Sequence, residues 1–217
     1  MVKVKINGTI IEVEPGTSVL AAAEKAGLRI PHLCAVKDIY EGASCRLCLV
    51  KTPTGRLFPA CAYYVYRDEE FISDSPDLKM TRKANFEFIL KFHRMECWLC
   101  PRKGNCMLTE LSKELAVEGI PVCAECPLSP EECLLTKGVS CLGPITISGC
   151  NAECTESGGP CWGCRGPVSR ADVIENAVLR YRELGIDTDT ILRKADIFWN
   201  SLPEFEVVKK VFNTVRV

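Results

Sequence analysis

Residues 34–61 read CAVKDIYEGASCRLCLVKTPTGRLFPAC, and the cysteine spacing in this stretch constrains how the first half of the chain folds. Ten, two and twelve residues separate its four cysteines, which are Cys34, Cys45, Cys48 and Cys61. Small side chains around 42–45 allow backbone N–H groups to approach sulfur. Four thiolates in this arrangement can hold the two irons of a 2Fe-2S cluster. A structural zinc site is the alternative, and the long first loop disfavours it.

The segment before this stretch predicts two strands and a helix. Residues 2–13 have the pattern of two strands around an Asn7-Gly8 turn, a pair favoured in hairpins. Apolar residues at helical spacing then run through 18–26 and stop at Gly27. Strand, strand, helix is the opening of a β-grasp ferredoxin-like domain. Further strands are predicted at 47–51, 56–60 and 70–73, with a turn at 53–55.

Composition narrows the function classes. The chain has 15 cysteines in 217 residues, far more than occasional use as a buried side chain requires. A net charge of −1 gives no global field for nucleic acid or an anionic membrane. The odd cysteine count and the polar N-terminus, which lacks signal-peptide features, disfavour a secreted disulfide scaffold. No run of about 18 apolar residues occurs. We therefore expect a reduced, cytoplasmic, metal-binding chain without direct membrane contact.

A second set of ligands follows a predicted helix. The helix runs from Ser75 to about Met95 and carries apolar side chains at i+4 spacing, namely Met80, Ala84, Phe88 and Phe92, with Ile89 beside them. Near its end stand His93, Cys97, Cys100 and Cys106, separated by three, two and five residues. The first two ligands can point the same way from a helix. Spacing by itself leaves both an iron-sulfur site and a zinc site open.

Residues 96–167 hold 11 of the 15 cysteines among Pro and Gly, with little periodicity. Such a segment is not expected to bury an apolar core of its own, so bound metal would organise it. It contains two further C-x-x-C pairs, Cys123 with Cys126 and Cys161 with Cys164, each able to bind one cubane. Fifteen cysteines and one histidine make sixteen ligands, enough for four sites of four.

Helical patterns return after Pro167. Ser169 and Asp172 have the spacing of a capping box, and an apolar stripe ends at Gly185. This stripe consists of residues 173, 174, 177, 178, 181 and 184. A second helix is predicted at 188–200, with one face made of Ile191, Leu192, Ala195, Phe198 and Trp199, and a short third helix at about 207–212. We expect these faces to pack against the cluster-binding segment.

Three motifs in the first half carry a family resemblance. They are IPHLC at 30–34, GASCRLCLV at 42–50 and PAC at 59–61. They resemble the N-terminal ferredoxin domain of the large iron-sulfur subunit of respiratory complex I and of related hydrogenase subunits. The resemblance implies a 2Fe-2S site at the first four cysteines, followed by a 4Fe-4S site at His93, Cys97, Cys100 and Cys106. His32 lies where the family pattern is tolerant, and we interpret it as structural.

A different family is indicated by the second half. The stretch CLLTKGVSCLGPIT at 133–146, Gly149-Cys150, and GPCWGCRGP at 159–167 resemble the C-terminal cluster segment of nickel-iron hydrogenase small subunits. The resemblance implies two more 4Fe-4S sites, one at Cys123, Cys126, Cys133 and Cys141 and the other at Cys150, Cys154, Cys161 and Cys164. The sequence lacks that family's flavodoxin-like domain, so we expect no direct contact with hydrogen chemistry.

The expected fold class is α+β. The expected segments are a β-grasp 2Fe-2S ferredoxin domain at 1–78, a one-His three-Cys 4Fe-4S segment at 79–118, a loop-rich two-cubane segment at 119–167, and closing C-terminal helices at 168–217. No G-x-G-x-x-G motif, P-loop or catalytic triad occurs in the sequence. We therefore expect a non-catalytic electron-transfer subunit of an oxidoreductase complex.

Together the resemblances imply a subunit of a soluble multi-subunit nickel-iron hydrogenase, either NAD-linked or electron-bifurcating. It would carry electrons through one 2Fe-2S and three 4Fe-4S clusters. Its expected partners are a flavin- and NAD(H)-binding iron-sulfur subunit and the small and large (nickel-iron) hydrogenase subunits, with no nucleic acid. Two alternatives remain, namely the iron-sulfur subunit of another NAD-linked oxidoreductase such as a formate dehydrogenase, and a zinc-stabilised structural adaptor.

Overall fold

The computed structural model describes residues 1–36 and 39–215, with the side chain of Glu41 left aside. Residues 37 and 38 of the predicted loop after Cys34, and the last two residues of the predicted segment 168–217, lie outside the described residues. The chain divides into two compact units. The first comprises Met1–His93 with Leu115–Val117, and the second comprises Arg94–Glu114 with Glu118–Val217.

The first unit is a mixed α+β fold built from short strands. Its strands are β1 Val2–Ile6, β2 Thr9–Val13, β3 Thr17–Ser18, β4 Ala35–Val36, β5 Tyr40–Glu41, β6 Leu49–Lys51, β7 Leu57–Pro59, β8 Tyr64–Val65 and β9 Glu69–Phe71, and its helices are α1 Val19–Lys25 and α2 Pro76–Phe92. β1 pairs antiparallel with β2 and parallel with β9, while β3 pairs with β8, β4 with β5, and β6 with β7. The expected α+β class is confirmed at this level.

The predicted hairpin at the N-terminus is confirmed. Asn7 and Gly8 both have positive φ, 49° and 90°, as a tight two-residue hairpin turn requires. The Asn7 side chain accepts a hydrogen bond from the Ser73 backbone N–H at 2.8 Å and donates one to the Ser73 hydroxyl at 2.7 Å. These bonds tie the turn to the chain just after β9, so the hairpin is fixed to the rest of the sheet.

Helix α1 also matches its prediction. The Ser18 hydroxyl accepts from the Ala21 backbone N–H at 3.2 Å, which caps the helix start. The helix ends at Lys25, and Gly27 follows with a φ of 69°. Its buried residues join a core that also contains the inward side chains of β1, β2 and β9.

Helix α2 ends at Phe92, three residues before the predicted end. The apolar stripe that indicated this helix is exposed, since Met80 and Phe92 are each 72% accessible. The buried face is a different i+4 series, which consists of Leu78, Arg82, Phe86 and Leu90. Arg82 is therefore a buried cation on the face that packs against the first unit.

The second unit is helical and loop-rich. Its helices are α3 Met107–Glu114, α4 Glu153–Glu156, α5 Ala171–Glu183, α6 Thr188–Trp199 and α7 Pro203–Thr214, with single turns of 3-10 helix at Val122–Ala124, Leu134–Lys137 and Gly143–Ile145. Helix α3 was not predicted from the sequence. The expectation that residues 96–167 bury no apolar core was wrong, because Leu111, Ile120, Leu135, Leu142 and Ile145 are all buried there.

The C-terminal helices differ from their predictions at one cap and one face. The predicted capping box is wrong, since Arg170 immediately precedes α5 and its guanidinium binds the Asp172 carboxylate instead. The apolar stripe of α5 is buried as predicted at Val173, Ile174, Ala177, Val178 and Tyr181. On α6, Phe198 is 46% exposed although Trp199 beside it is fully buried.

In the described part of the chain, the helices are all too short or too polar to span a bilayer.

Candidate metal centres

The first cysteine group lies in the first unit, on the loop 42–48 and the segments beside it. The Cys45 backbone N–H donates to Cys34 Sγ at 3.4 Å, and the Sγ atoms of Cys48 and Cys61 are 3.4 Å apart. Ala43, before Cys45, adopts a left-handed backbone with a φ of 47°, which residues with a Cβ rarely do. The predicted approach of loop N–H groups to sulfur is thus confirmed at Cys34.

The thiols of this group crowd one another. Burial raises the pKa of Cys61 to about 12, and the hydrogen bond and charge of Cys48 and the charge of Cys34 raise it further. At Cys34, burial also acts to raise the pKa, but hydrogen bonds from Cys45 and Ser44 outweigh it and the pKa is lowered. Neighbouring thiolates of this kind need a cation to compensate their charge, which iron provides. The donor set therefore fits a cluster.

His32 takes no place in this group. Its Nδ1 lies 3.0 Å from the Ile30 carbonyl oxygen, where it donates a hydrogen bond to the backbone. This contact agrees with the structural role predicted for His32.

The second group lies in the turns that open the second unit. Burial raises the pKa of Cys97 to about 12, and the charges of Cys106 and Cys100 add to it, so these three thiols lie within electrostatic reach of one another. His93 caps the C-terminal end of α2 in the first unit. Its assignment as the fourth ligand stays a prediction.

The third group surrounds a cavity in the second unit. Cys123, Cys126, Cys133 and Cys141 all line it, and all four are buried. Lys103 and Gly143 also belong to the wall. A Cβ at Gly143 would lie only 3.1 Å from Cys123 Sγ, so this position allows the backbone to approach the sulfur atoms closely.

The fourth group surrounds a second cavity in the same unit. Its wall includes Cys150, Cys154, Cys161 and Cys164, together with Trp162 and Arg165. Between the first two of these cysteines, Asn151 and Ala152 adopt left-handed conformations, with φ of 53° and 54°, before α4 begins. This compact turn brings Cys150 and Cys154 to the same cavity.

The third and fourth groups adjoin. The backbone N–H of Cys161, in the fourth group, donates to Cys141 Sγ, in the third group, at 3.2 Å. The charge of Cys141 also acts to raise the pKa of Cys161, after the dominant effect of burial and a hydrogen bond from Gly163 that lowers it. The two cavities are therefore joined by a direct contact between their cysteines.

Helices α5 and α6 hold the cysteine loops from behind. The Tyr181 hydroxyl donates to the Cys141 carbonyl oxygen at 2.9 Å, and Trp199 Nε1 donates to the Gly163 carbonyl oxygen at 2.5 Å. Lys194 Nζ donates to the Ser140 carbonyl oxygen at 2.8 Å and lies 4.6 Å from the Trp162 ring centroid. The expected packing of the C-terminal helices against the cysteine segment is confirmed by these contacts.

Within the described residues, no three His, Cys, Asp or Glu side chains converge closely enough to hold a single metal ion. The cysteines are all free thiols in the structure.

Several supporting residues were not identified from the sequence. They are Arg82, Lys103, Tyr181 and Trp199. Lys103 lies between two predicted ligands, Cys100 and Cys106, which was the only signal for it. The others face the sites only because of tertiary packing, for which the sequence carries no local pattern.

Two known families match the chain. A 2Fe-2S iron-sulfur cluster binding domain matches residues 1–70, and an NADH-ubiquinone oxidoreductase-G iron-sulfur binding region matches residues 82–121. The first half of the chain is an iron-sulfur module of the NADH-ubiquinone oxidoreductase-G type. The α2 helix and the first two cysteine groups belong to this oxidoreductase-G module.

Curated relatives match over the same oxidoreductase-G module. The second G-type subunit of the NADH-quinone oxidoreductases of Rhizobium meliloti is 38% identical over 112 residues, which cover 51% of this chain and 13% of the relative. The G-type subunit of the NADH-quinone oxidoreductase of Rickettsia bellii is 36% identical over 113 residues, which cover 51% of this chain and 16% of the relative. The chain therefore spans less than a fifth of the length of these relatives.

A solved structure is also similar. It is the crystal structure of an NAD+-reducing [NiFe]-hydrogenase in the H2-reduced state, with a TM-score of 0.50 and 30% sequence identity. The match covers 54% of this chain and 49% of that chain. The oxidoreductase-G module thus has relatives in both NADH-quinone oxidoreductases and an NAD+-reducing hydrogenase.

Proposed function

We propose that the chain is an electron-transfer subunit that carries electrons between a flavin- and NAD(H)-binding partner and a nickel-iron hydrogenase module. It would do so through one 2Fe-2S and three 4Fe-4S clusters. Such clusters exchange single electrons with partners of suitable potential. The protein's own task is then to hold the sites in sequence, to shield them from solvent and to set their potentials.

One observation carries this proposal. The last eight cysteines fall into two sets of four, each set lining its own cavity, and a hydrogen bond from Cys161 to Cys141 joins the sets. We assign the 2Fe-2S cluster to Cys34, Cys45, Cys48 and Cys61, and 4Fe-4S clusters to His93, Cys97, Cys100 and Cys106, to Cys123, Cys126, Cys133 and Cys141, and to Cys150, Cys154, Cys161 and Cys164.

The second and third groups are also close enough to interact. After burial and the charge of Cys141, the charge of Cys97 is the next cause that raises the pKa of Cys123. This interaction, together with the Cys161 to Cys141 contact, supports a path through the second, third and fourth groups in chain order.

The choice of partners rests on both halves of the chain. Similarity of the first half to an NAD+-reducing [NiFe]-hydrogenase chain supports a flavin- and NAD(H)-binding neighbour. The hydrogenase-like motifs at 133–167 support the small and large nickel-iron subunits at the other end. We place the complex in the cytoplasm, because reducing compartments keep ligand thiols available for iron.

The Cys45→Ser variant tests the direction of this arrangement. In the intact complex it should abolish the 2Fe-2S signal in electron paramagnetic resonance, because one of the four thiolates is lost. NAD-linked electron transfer should fall strongly, while methyl-viologen-linked hydrogen oxidation on the nickel side should continue. Both activities and the spectrum are measured on the anaerobically purified complex.

The matched control is Cys164→Ser at the other end of the chain, which should remove a 4Fe-4S signal and spare the 2Fe-2S signal. Equal loss of both activities in Cys45→Ser would contradict the proposed order. A complex that co-purifies without nickel would favour the formate dehydrogenase alternative.

A further inference from the structure

A buried ammonium group lies in the wall of the third cavity. Lys103 Nζ is shielded from solvent and has no hydrogen-bond partner among residues 1–36 and 39–215. The same side chain lines the cavity formed by Cys123, Cys126, Cys133 and Cys141. An unpaired buried charge costs several kcal/mol, as an order of magnitude, unless something of opposite sign compensates it.

The backbone holds Lys103 close to the third group. The Lys103 backbone N–H donates to the Cys100 carbonyl oxygen at 3.1 Å, and the Gly104 N–H donates to the Ala124 carbonyl oxygen at 3.0 Å. Gly104 has a φ of 78°, and a Cβ there would lie 3.2 Å from the Cys126 carbonyl oxygen. Glycine at 104 therefore permits the close approach that brings Lys103 to this wall.

The charge of Lys103 acts on two cysteine groups. It acts to lower the pKa of Cys123 in the third group and of Cys97 in the second, against the larger raising effect of burial on both. The nearest carboxylate that its charge influences is Glu132, which accepts a hydrogen bond from the Ser129 backbone N–H at 3.1 Å. The compensating negative charge for Lys103 thus comes from the thiolate side of the cavity.

We propose that Lys103 is a positioning residue that raises the reduction potential of the cluster held by Cys123, Cys126, Cys133 and Cys141. This inference rests on the proposed function, since it requires a cluster in the third cavity. Net charge around a cluster is one of the determinants of its potential. A fixed ammonium in a shielded wall stabilises the reduced state, which carries one more negative charge.

The electron balance is simple. One electron leaves the neighbouring iron-sulfur site of the second or fourth group, which is oxidised, and enters the third site, which is reduced. No bond forms or breaks, and no proton moves, because Lys103 keeps its proton in both states. By favouring the reduced third site, Lys103 makes it an electron acceptor relative to its neighbours.

The test is a redox titration followed by electron paramagnetic resonance on the anaerobic, cluster-loaded chain. The signal of the third site is first assigned as the one that a Cys126→Ser variant loses. In Lys103→Met, the ratio of reduced to oxidised third site at a fixed potential should fall about tenfold, which is about 59 mV for a one-electron couple. Lys103→Arg keeps the charge and should restore most of this ratio.

Lys137→Met is the matched control. Lys137 lies four residues after Cys133 but is exposed, so solvent screens its charge and the ratio should change less than about twofold. A fully loaded Lys103→Met protein with an unchanged ratio, or equal changes in the two Met variants, would overturn the proposal.

If Lys103→Met fails to load the site, Lys103→Gln is titrated in its place with the same expectation. Loss of the third signal in both neutral variants, with its retention in Lys103→Arg, would make Lys103 an assembly residue and overturn the proposal. A parent protein without any signal sensitive to Cys126→Ser would instead refute the proposed function itself.

Discussion

Replacing Trp199 by alanine should lower the free energy of unfolding of the second unit by about 3–5 kcal/mol. The Trp199 side chain is fully buried and makes an edge contact with Phe205, at 5.8 Å between ring centroids. Its Nε1 donates to the Gly163 carbonyl oxygen, and a Cβ at Gly163 would lie 3.1 Å from the indole ring. Because Gly163 lies between Cys161 and Cys164, the variant should also lose about four iron atoms from the fourth site.

Urea unfolding followed by far-UV circular dichroism, with iron content measured in parallel, provides the check. Phe198→Ala is the matched control, because Phe198 precedes Trp199 on α6 but is 46% exposed. It should change stability by less than about 0.5 kcal/mol and keep its iron. Similar losses in the two variants would show that α6 does not hold the loop as described.

Replacing Arg82 by methionine should destabilise the first unit by about 3 kcal/mol, the contribution of two hydrogen bonds from a buried charged group. Arg82 Nε donates to the Leu47 carbonyl oxygen at 2.9 Å, and its Nη2 donates to the Leu49 carbonyl oxygen at 2.7 Å. These two carbonyls flank Cys48. The 2Fe-2S signal should therefore weaken or disappear together with the loss of stability.

Arg67→Met serves as the control, because the Arg67 side chain is 83% exposed and pairs only at the surface with Glu69. Its thermal unfolding midpoint and 2Fe-2S spectrum should match those of the parent protein. An Arg82→Met protein with normal stability and a full 2Fe-2S signal would show that α2 does not support the Cys48 segment.

Elements that depend on adjacent residues could be predicted from the sequence. The turn at Asn7-Gly8 needs two residues with positive φ, and asparagine followed by glycine provides them. The start of α1 needs a side-chain acceptor, which Ser18 supplies. Each of these features is decided within a few residues, so the pattern carries it.

Choices that depend on distant partners could not be predicted. Helix α2 presents two i+4 series, and the more apolar one, with Met80 and Phe88, is exposed. The buried series contains Arg82, whose burial is compensated by carbonyl groups of a distant strand segment. Similarly, α5 begins after Arg170 because that guanidinium binds Asp172, a pairing that the Ser169 spacing did not indicate.

For the candidate sites, the sequence supplied the ligand types and their spacing. It could not supply the supporting contacts, since Tyr181 reaches the Cys141 carbonyl across 40 residues and Trp199 reaches Gly163 across 36. Lys103 was equally hidden, because a lysine between two cysteines gives no sign that its ammonium group is buried. Charge and packing around the sites therefore had to come from the structure.

The most direct test of the central claim is the content of iron, acid-labile sulfide and zinc in the anaerobically purified full chain. One 2Fe-2S and three 4Fe-4S clusters predict about 14 iron and about 14 sulfide per chain, with little zinc. Stoichiometric zinc with little iron and no sulfide would contradict the electron-transfer function and support the zinc-stabilised adaptor.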